Sequence, residues 1–218
     1  MSLNDKAAYL EKLLSFSVGS KAEDEAERIL SSLPSMADIA SVSSVVVQNL
    51  SGCSEQAAEF LALVAAISSR RVTDEFKPGR KYSSEEIKKY ICALLFHLSV
   101  ESVYMISLGS NGKLIATDLI TEGTVNSSAF LPRKMADIAL RRKAASVILA
   151  HNHPSGNPLP SDNDISVTLL AESVLGDVRI KLAAHYITAG FNIHDCLLDV
   201  KSMLERSERV VVVDPISE

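Results

Sequence analysis

The stretch that decides the fold reads AHNHPSGNPLPSDND, at residues 150–164. It follows the apolar residues 145–149, which are short and branched enough to predict a buried strand. Side chains alternate between the two faces of a strand, so His151 and His153 are expected to point the same way. The Pro, Gly and Asn residues that follow predict a loop. The sequence thus predicts two imidazoles at the end of a strand, immediately before a loop.

A helix is predicted to begin where this loop ends. Ser161 is followed three residues later by Asp164, which is the spacing of a capping box, in which two side chains satisfy free amides at a helix start. From the first helical turn the Asp164 carboxylate can also converge with the two imidazoles on one point. Two His and one Asp with a fourth position open to water form the ligand set of a catalytic zinc site. We therefore predict Zn²⁺ bound by His151, His153 and Asp164, with the capping role of Asp164 compatible with the metal role.

The same residues resemble a known family. His-x-His-Pro followed by Ser-x-x-Asp is the signature of the JAMM, or MPN-plus, metalloproteases. The string HNHPSG at residues 151–156, together with GTVNSS at residues 123–128 and Pro-Arg at residues 132–133, resembles the RadC branch. The resemblance is strong over roughly residues 98–190 and weaker before them. It implies a zinc-dependent metallopeptidase or isopeptidase, acting by metal-activated water on a peptide or protein substrate that the sequence does not identify.

The resemblance also implies the residues that assist hydrolysis. JAMM proteins place a glutamate base immediately before a strand upstream of the histidines, and Glu101 occupies that place. A lone Glu there is otherwise most often a solvated residue at a helix–strand junction. Glu122, which also borders a strand and a loop, is the alternative base. Ser161 is expected to donate to the oxyanion that develops during hydrolysis.

The order of elements predicts an α/β fold. Hairpin strands at residues 102–108 and 113–120, followed by alternating helices and strands, predict a mixed β-sheet with helices packed on it. The resemblance implies the cytidine-deaminase-like layout of MPN domains, preceded by a small all-α, helix-hairpin-helix-like domain. The predicted domains are residues 1–71 (a degenerate helical module), 72–82 (a linker) and 83–218 (the RadC/JAMM metallohydrolase domain).

The N-terminal module is predicted not to bind DNA. RadC proteins carry a Gly-x-Gly hairpin here, whose amides can hold a phosphate, but this chain has Ser54 in place of the second Gly after Gly52. No Lys or Arg lies between Arg28 and Arg70, and affinity for nucleic acid depends on cations that meet phosphates. The alternative to the favoured hydrolase is a DNA-repair-associated protein or an interaction scaffold with little hydrolytic activity, and the missing glycine and cations argue against the DNA-associated form.

Composition places the chain among ordinary globular proteins. The net charge is −5, which provides no general attraction for nucleic acid or an anionic membrane. No apolar run reaches the length that a membrane helix needs, and three widely spaced cysteines are expected to be reduced thiols, so a cytoplasmic location is predicted.

Two positions depart from the RadC pattern. Lys134 stands where the family commonly has Glu, and Ala184 stands where it has Asp, so a salt link from that position to His185 is absent. His97, His185 and His194 are interpreted as packing or surface residues and not as metal ligands.

Overall fold

The computed structural model describes residues 3–96, 98, 100–123 and 130–211. The predicted role of His97 therefore lies outside the described residues, as does most of the GTVNSS motif. The first half of the described chain is helical: α1 (Leu3–Val18), a short 3-10 turn (Gly19–Lys21), α2 (Ala22–Ser32), α3 (Met36–Ser41), α4 (Ser44–Ser51) and α5 (Glu55–Glu75). The second half is mixed: α6 (Ser84–Leu95), β1 (Ser102–Leu108), β2 (Leu114–Glu122), α7 (Phe130–Arg141), β3 (Ser146–Asn152), α8 (Asp162–Asp177), β4 (Lys181–Ala189), β5 (Asn192–Asp195) and α9 (Cys196–Val211).

The N-terminal helices bury a core of their own. Apolar side chains at helical spacing meet in its centre, including Leu10, Leu14, Ile29, Val47 and Leu61. Serine side chains accept hydrogen bonds from backbone amides at the starts of α3, α4 and α5, so the short helices begin with satisfied N–H groups. Helix α5 continues to Glu75, past the predicted end of the module at residue 71.

The strands form one five-stranded sheet in the order β2-β1-β3-β4-β5. The pair β3–β4 is parallel, whereas β1–β2, β1–β3 and β4–β5 are antiparallel. The sheet is therefore mixed, and the predicted α/β class with N-terminal helices is confirmed.

Helices cover both faces of the sheet. On one face, Val147 and Leu149 of β3 pack with residues of α7 and α8. On the other face, Ile148 and Ala150 pack with residues of α6. The alternation continues to the end of β3, so His151 faces α8 and Asn152 faces the side of α6.

Some boundaries differ from the prediction. Strand β3 extends to Asn152, so His151 belongs to the strand and His153 lies just after it. Helix α7 begins at Phe130, so the Pro-Arg pair at residues 132–133 lies in its first turn. Strand β5 and helix α9 were not predicted, because β5 is only four residues long and α9 follows it without an intervening loop. Within the described residues, no helix is both long and apolar enough to cross a membrane.

Candidate metal centre

The start of β1, the end of β3 and the start of α8 bring the predicted site residues together at one end of the sheet. His151 is opposite Val103 in the antiparallel pairing of β3 with β1, so Glu101, two residues before Val103, lies beside the end of β3. The loop after β3 carries His153 and leads into α8, whose first turn contains Asp164. Glu101, His151, His153 and Asp164 together form a cluster whose potential ligand atoms all lie within 4.8 Å of one another.

The three predicted ligands are closer still. Nε2 of His151 is 3.0 Å from Nε2 of His153. The Asp164 carboxylate oxygens are 3.2 Å from Nε2 of His151 and 3.4 Å from Nε2 of His153. A tetrahedral zinc site with bonds of about 2.0–2.2 Å has ligand atoms roughly 3.3–3.6 Å apart. These separations and this nitrogen–oxygen donor set fit a zinc ion.

The loop after β3 fixes the orientation of the His153 ring. Its Nδ1 is 2.8 Å from the backbone carbonyl of Asn157, and a carbonyl can only accept, so Nδ1 carries a hydrogen. In the neutral ring Nε2 then has a free lone pair, directed at the cluster. Gly156 allows the turn to close, with φ at +88° and its N–H 3.1 Å from the carbonyl of His153.

The capping box predicted at the start of α8 is confirmed. The amide of Asp164 donates to Ser161 Oγ at 3.2 Å, and the amide of Ser161 donates to Asp164 Oδ2 at 2.8 Å. The Ser161 hydroxyl also donates to Asp164 Oδ2, at 2.6 Å. This pair of residues therefore holds the Asp164 carboxylate in position at the cluster.

The electrostatics of the cluster favour an ionised carboxylate. Burial alone raises the pKa of Asp164, but the nearby His151 and His153 rings and the Ser161 hydroxyl outweigh it and hold the pKa well below its usual range. The hydrogen bond to Asp164 raises the pKa of His153 against the opposing effect of burial. A cation bound at the cluster would compete with a proton for Nε2 of His153.

The two candidate bases are placed differently. Glu101 is exposed and belongs to the cluster of potential ligands. Glu122 is opposite Ser102 at the end of β2 and is not among the residues of that cluster. Of the two, Glu101 is thus the one that lies at the cluster. The end of β2 holds its backbone, because the Gly123 amide donates to the Glu101 carbonyl at 2.8 Å.

Asn152, between the two histidines, is a site residue that sequence reasoning missed. Its buried carboxamide accepts from the Ser102 amide at 2.9 Å and donates to the carbonyls of Leu98 and Val100 at 3.0 and 3.2 Å. It therefore ties the segment that carries Glu101 to the strand that carries His151. The available signal was strand alternation, because a polar residue between two residues that face a site must face the opposite side.

His185 has a closer connection to the site than the sequence indicated. It is buried on β4, not on the surface, and its Nε2 is 3.0 Å from Nδ1 of His151. Its Nδ1 is 2.6 Å from Thr168 Oγ1, on α8. Thr168 could have been expected near the site, because it lies one helical turn after Asp164 on the same face of α8.

The other singled-out positions lie away from the ligands. His194 pairs with Asp199 at 2.6 Å, and neither belongs to the cluster. Ala184 is buried among apolar residues that contact α6, on the opposite face from His185. Lys134 donates to the carbonyl of Ile120, which gives it a partner on β2.

The fold and the cluster define the class: an α/β domain with a candidate His-His-Asp metal centre at the end of its central strand. The chain belongs to the RadC-like JAB domain family, whose model matches residues 82–196, more than half of its 218 residues. The predicted resemblance to RadC proteins is thereby confirmed.

Curated relatives agree with this assignment. A UPF0758 protein of Janthinobacterium sp. is 30% identical over 177 residues, covering 81% of this chain and 79% of the relative. A UPF0758 protein of Cupriavidus pinatubonensis is 28% identical over 177 residues, covering 81% of this chain and 78% of the relative. A UPF0758 protein of Bordetella avium is 38% identical over 129 residues, covering 58% of this chain and 57% of the relative.

Proposed function

We propose that this protein is a zinc-dependent metallopeptidase or isopeptidase of the RadC-like JAMM type. The observation that carries the proposal is the convergence of His151, His153, Asp164 and Glu101 within 4.8 Å. Three of them supply a zinc ligand set with one position left for water, and the fourth supplies a carboxylate in reach of that position. An interaction scaffold would not require the base, so the complete cluster supports the enzyme over the scaffold alternative.

Each residue has a defined role in this mechanism. His151, His153 and Asp164 would hold the metal, which would supply a water of lowered pKa, about 7, and polarise the substrate carbonyl. Glu101 accepts the proton of the attacking water and returns it to the leaving amine. Exposure of Glu101 lets its carboxylate reach both partners at the mouth of the site.

Ser161 serves Asp164 first and the oxyanion second. Its hydroxyl donates to Asp164 Oδ2, but its own backbone amide donates to the same oxygen. The hydroxyl can therefore rotate towards a developing oxyanion while Oδ2 keeps a hydrogen-bond donor.

A groove beside the metal site supports a polypeptide substrate. It has a volume of about 1050 Å³ and lies between the N-terminal helices and the loop after β3, with His153 in its wall. Phe60 and Leu63 of α5 contribute apolar surface, and Glu59 and His153 are the acidic and basic side chains among its described lining residues. An uncharged, apolar peptide segment fits such a lining better than a polyanion does.

The hairpin between α4 and α5 supports the proposal that DNA is not the partner. The amide of Ser54, which would face a phosphate, already donates to both carboxylate oxygens of Glu25, at 3.2 and 3.1 Å. The preceding amides donate to Gln48 O and Ser51 Oγ. A phosphate at these amides would have to compete with the buried Glu25 carboxylate, which would repel it.

The finer assignments belong to the same proposal. The sheet and its helices correspond to the cytidine-deaminase-like layout. Helices α4 and α5 correspond to a degenerate helix-hairpin-helix in the helical module predicted over residues 1–71, with α5 continuing beyond that boundary to Glu75. The three cysteines are free and buried, as expected in a reducing cytoplasm.

A substrate screen tests the proposal. Peptide and lysine-isopeptide libraries should be cleaved by the zinc-loaded protein and not after chelation. Glu101→Gln should keep zinc and lose about 10²–10⁴-fold in rate, because the amide cannot accept the water proton. Glu122→Gln is the matched control and should stay active; cleavage that survives in Glu101→Gln and disappears in Glu122→Gln would assign the base to Glu122.

A further inference from the structure

The hydrogen-bond partner of His151 does not by itself determine which ring nitrogen of His151 carries the hydrogen. A carbonyl fixes the hydrogen on Nδ1 of His153, but Nδ1 of His151 lies 3.0 Å from another imidazole nitrogen, Nε2 of His185. Either ring can donate in such a pair. If His185 donated, a neutral His151 would carry its hydrogen on Nε2, where it would block the metal.

The contacts of Thr168 determine the direction of the hydrogen bond between His185 and His151. Its hydroxyl donates to the backbone carbonyl of Asp164 at 2.5 Å, an acceptor that cannot donate in return. Having no second hydrogen, the hydroxyl can only accept from Nδ1 of His185, 2.6 Å away. The Cys196 thiol, 3.3 Å from the same oxygen, is then the donor to its other lone pair.

The tautomer of His185 follows from these contacts. With a hydrogen on Nδ1, a neutral His185 has a lone pair on Nε2. The ring is buried, and its two hydrogen-bond partners are a hydroxyl and an imidazole, neither of them a carboxylate. A charged ring would be costly in such surroundings, so His185 is neutral and its Nε2 accepts.

We propose that His185 is a positioning residue: by accepting from Nδ1 of His151, it keeps Nε2 of His151 unprotonated and directed at the metal position. The proposal rests on the proposed metal centre. One line of hydrogen bonds begins at the carbonyl of Asp164, passes through Thr168 and His185, and ends at His151. It thereby couples the orientation of two predicted ligands on α8 and β3.

The wild-type protein allows a direct test by NMR. Long-range ¹H–¹⁵N spectra of the labelled full chain, in stripped and zinc-loaded forms, report which nitrogen of each imidazole carries hydrogen. His185 should be neutral with its hydrogen on Nδ1 in both forms, because Thr168 and not the metal sets it. A hydrogen on Nε2 of His185 in either form would overturn the inference.

Zinc affinity gives the second test, by competition with a chromophoric chelator. His185→Phe keeps an aromatic ring without an acceptor and should weaken zinc binding about 10–100-fold. His185→Gln places an oxygen acceptor near the position of Nε2 and should recover most of the affinity. His194→Phe, a histidine outside the cluster, is the matched control and should bind like wild type.

The outcomes separate the two proposals. If the wild type itself takes up no zinc, the metal centre fails, and this inference fails with it. If the wild type binds zinc and His185→Phe binds it equally tightly, the role of His185 fails alone. Should His185→Phe not fold, Thr168→Val against Thr168→Ser tests the same line of bonds, and the wild-type spectra remain decisive.

Discussion

Asn152→Ala should destabilise the protein because it releases the segment that carries Glu101. The carboxamide makes three hydrogen bonds, to Ser102, Leu98 and Val100, at 2.9–3.2 Å. Only 4% of Asn152 is exposed, so water cannot readily replace the lost partners. The side chain crosses from β3 to the chain before β1.

The magnitude follows from the count of bonds. Each hydrogen bond contributes about 0.5–1.5 kcal/mol net, and a buried donor left unpaired costs about 1–3 kcal/mol. For three bonds, one of them from the buried Ser102 amide, we expect a loss of about 2–4 kcal/mol in the free energy of unfolding. Asn152→Asp keeps the acceptor for that amide but brings a carboxylate against two carbonyl oxygens, so it should also destabilise.

Denaturant unfolding in chelator measures this loss without a contribution from bound metal. Asn111→Ala is the matched control, because Asn111 lies in the exposed β1–β2 turn and its side chain accepts one hydrogen bond, from the Lys113 amide at 3.0 Å. That variant should lose about 1 kcal/mol or less. An Asn152→Ala loss no larger than that of Asn111→Ala would refute the assigned role of the carboxamide.

Three further predictions concern pH, substrate and nucleic acid. In chelator, the raised pKa of His153 beside Asp164 contributes stability that is present below about pH 6.5 and is lost as pH rises through the folded-state pKa. Zinc affinity should rise over the same interval because binding displaces that proton. Unfolding and zinc titrations across pH measure the two quantities, and a metal-free stability that rises with pH together with zinc affinity would contradict this reasoning. Leu63→Asp should raise KM for a cleaved peptide without changing zinc affinity, whereas Ile67→Asp, exposed on the same helix and outside the groove lining, should not; equal effects would remove the groove from substrate binding. A fluorescence titration with duplex DNA at physiological salt should show weak or no binding, and tight binding with a steep salt dependence would restore the repair hypothesis.

The site residues that could be predicted from the sequence are those linked by local spacing. His151, His153 and Asp164 lie within one strand–loop–helix stretch, so periodicity and the capping-box spacing placed them before any tertiary contact was known. Glu101 lies 50 residues before His151 in the chain. Only the β1–β3 register brings them together, and the sequence indicated this through family resemblance alone.

The site residues that could not be predicted from the sequence contact partners that are distant in the chain. His185 reaches His151 through the parallel pairing of β4 with β3, and no spacing in the sequence reveals that partner. Because position 184 lacks an acidic residue, the sequence indicated only that a salt link to His185 is missing. In the structure His185 instead contacts the imidazole of His151.

The measurement that tests the metal centre most directly is the zinc content of the purified full chain. Elemental analysis should find close to one zinc per molecule after purification without chelator, or after chelation and resupply. His153→Ala should lose the metal, because two remaining protein ligands leave an incomplete set, while His194→Ala should retain it. The absence of zinc from the wild type under both conditions, or retention by His153→Ala equal to wild type, would contradict the assignment of His151, His153 and Asp164 as a metal site.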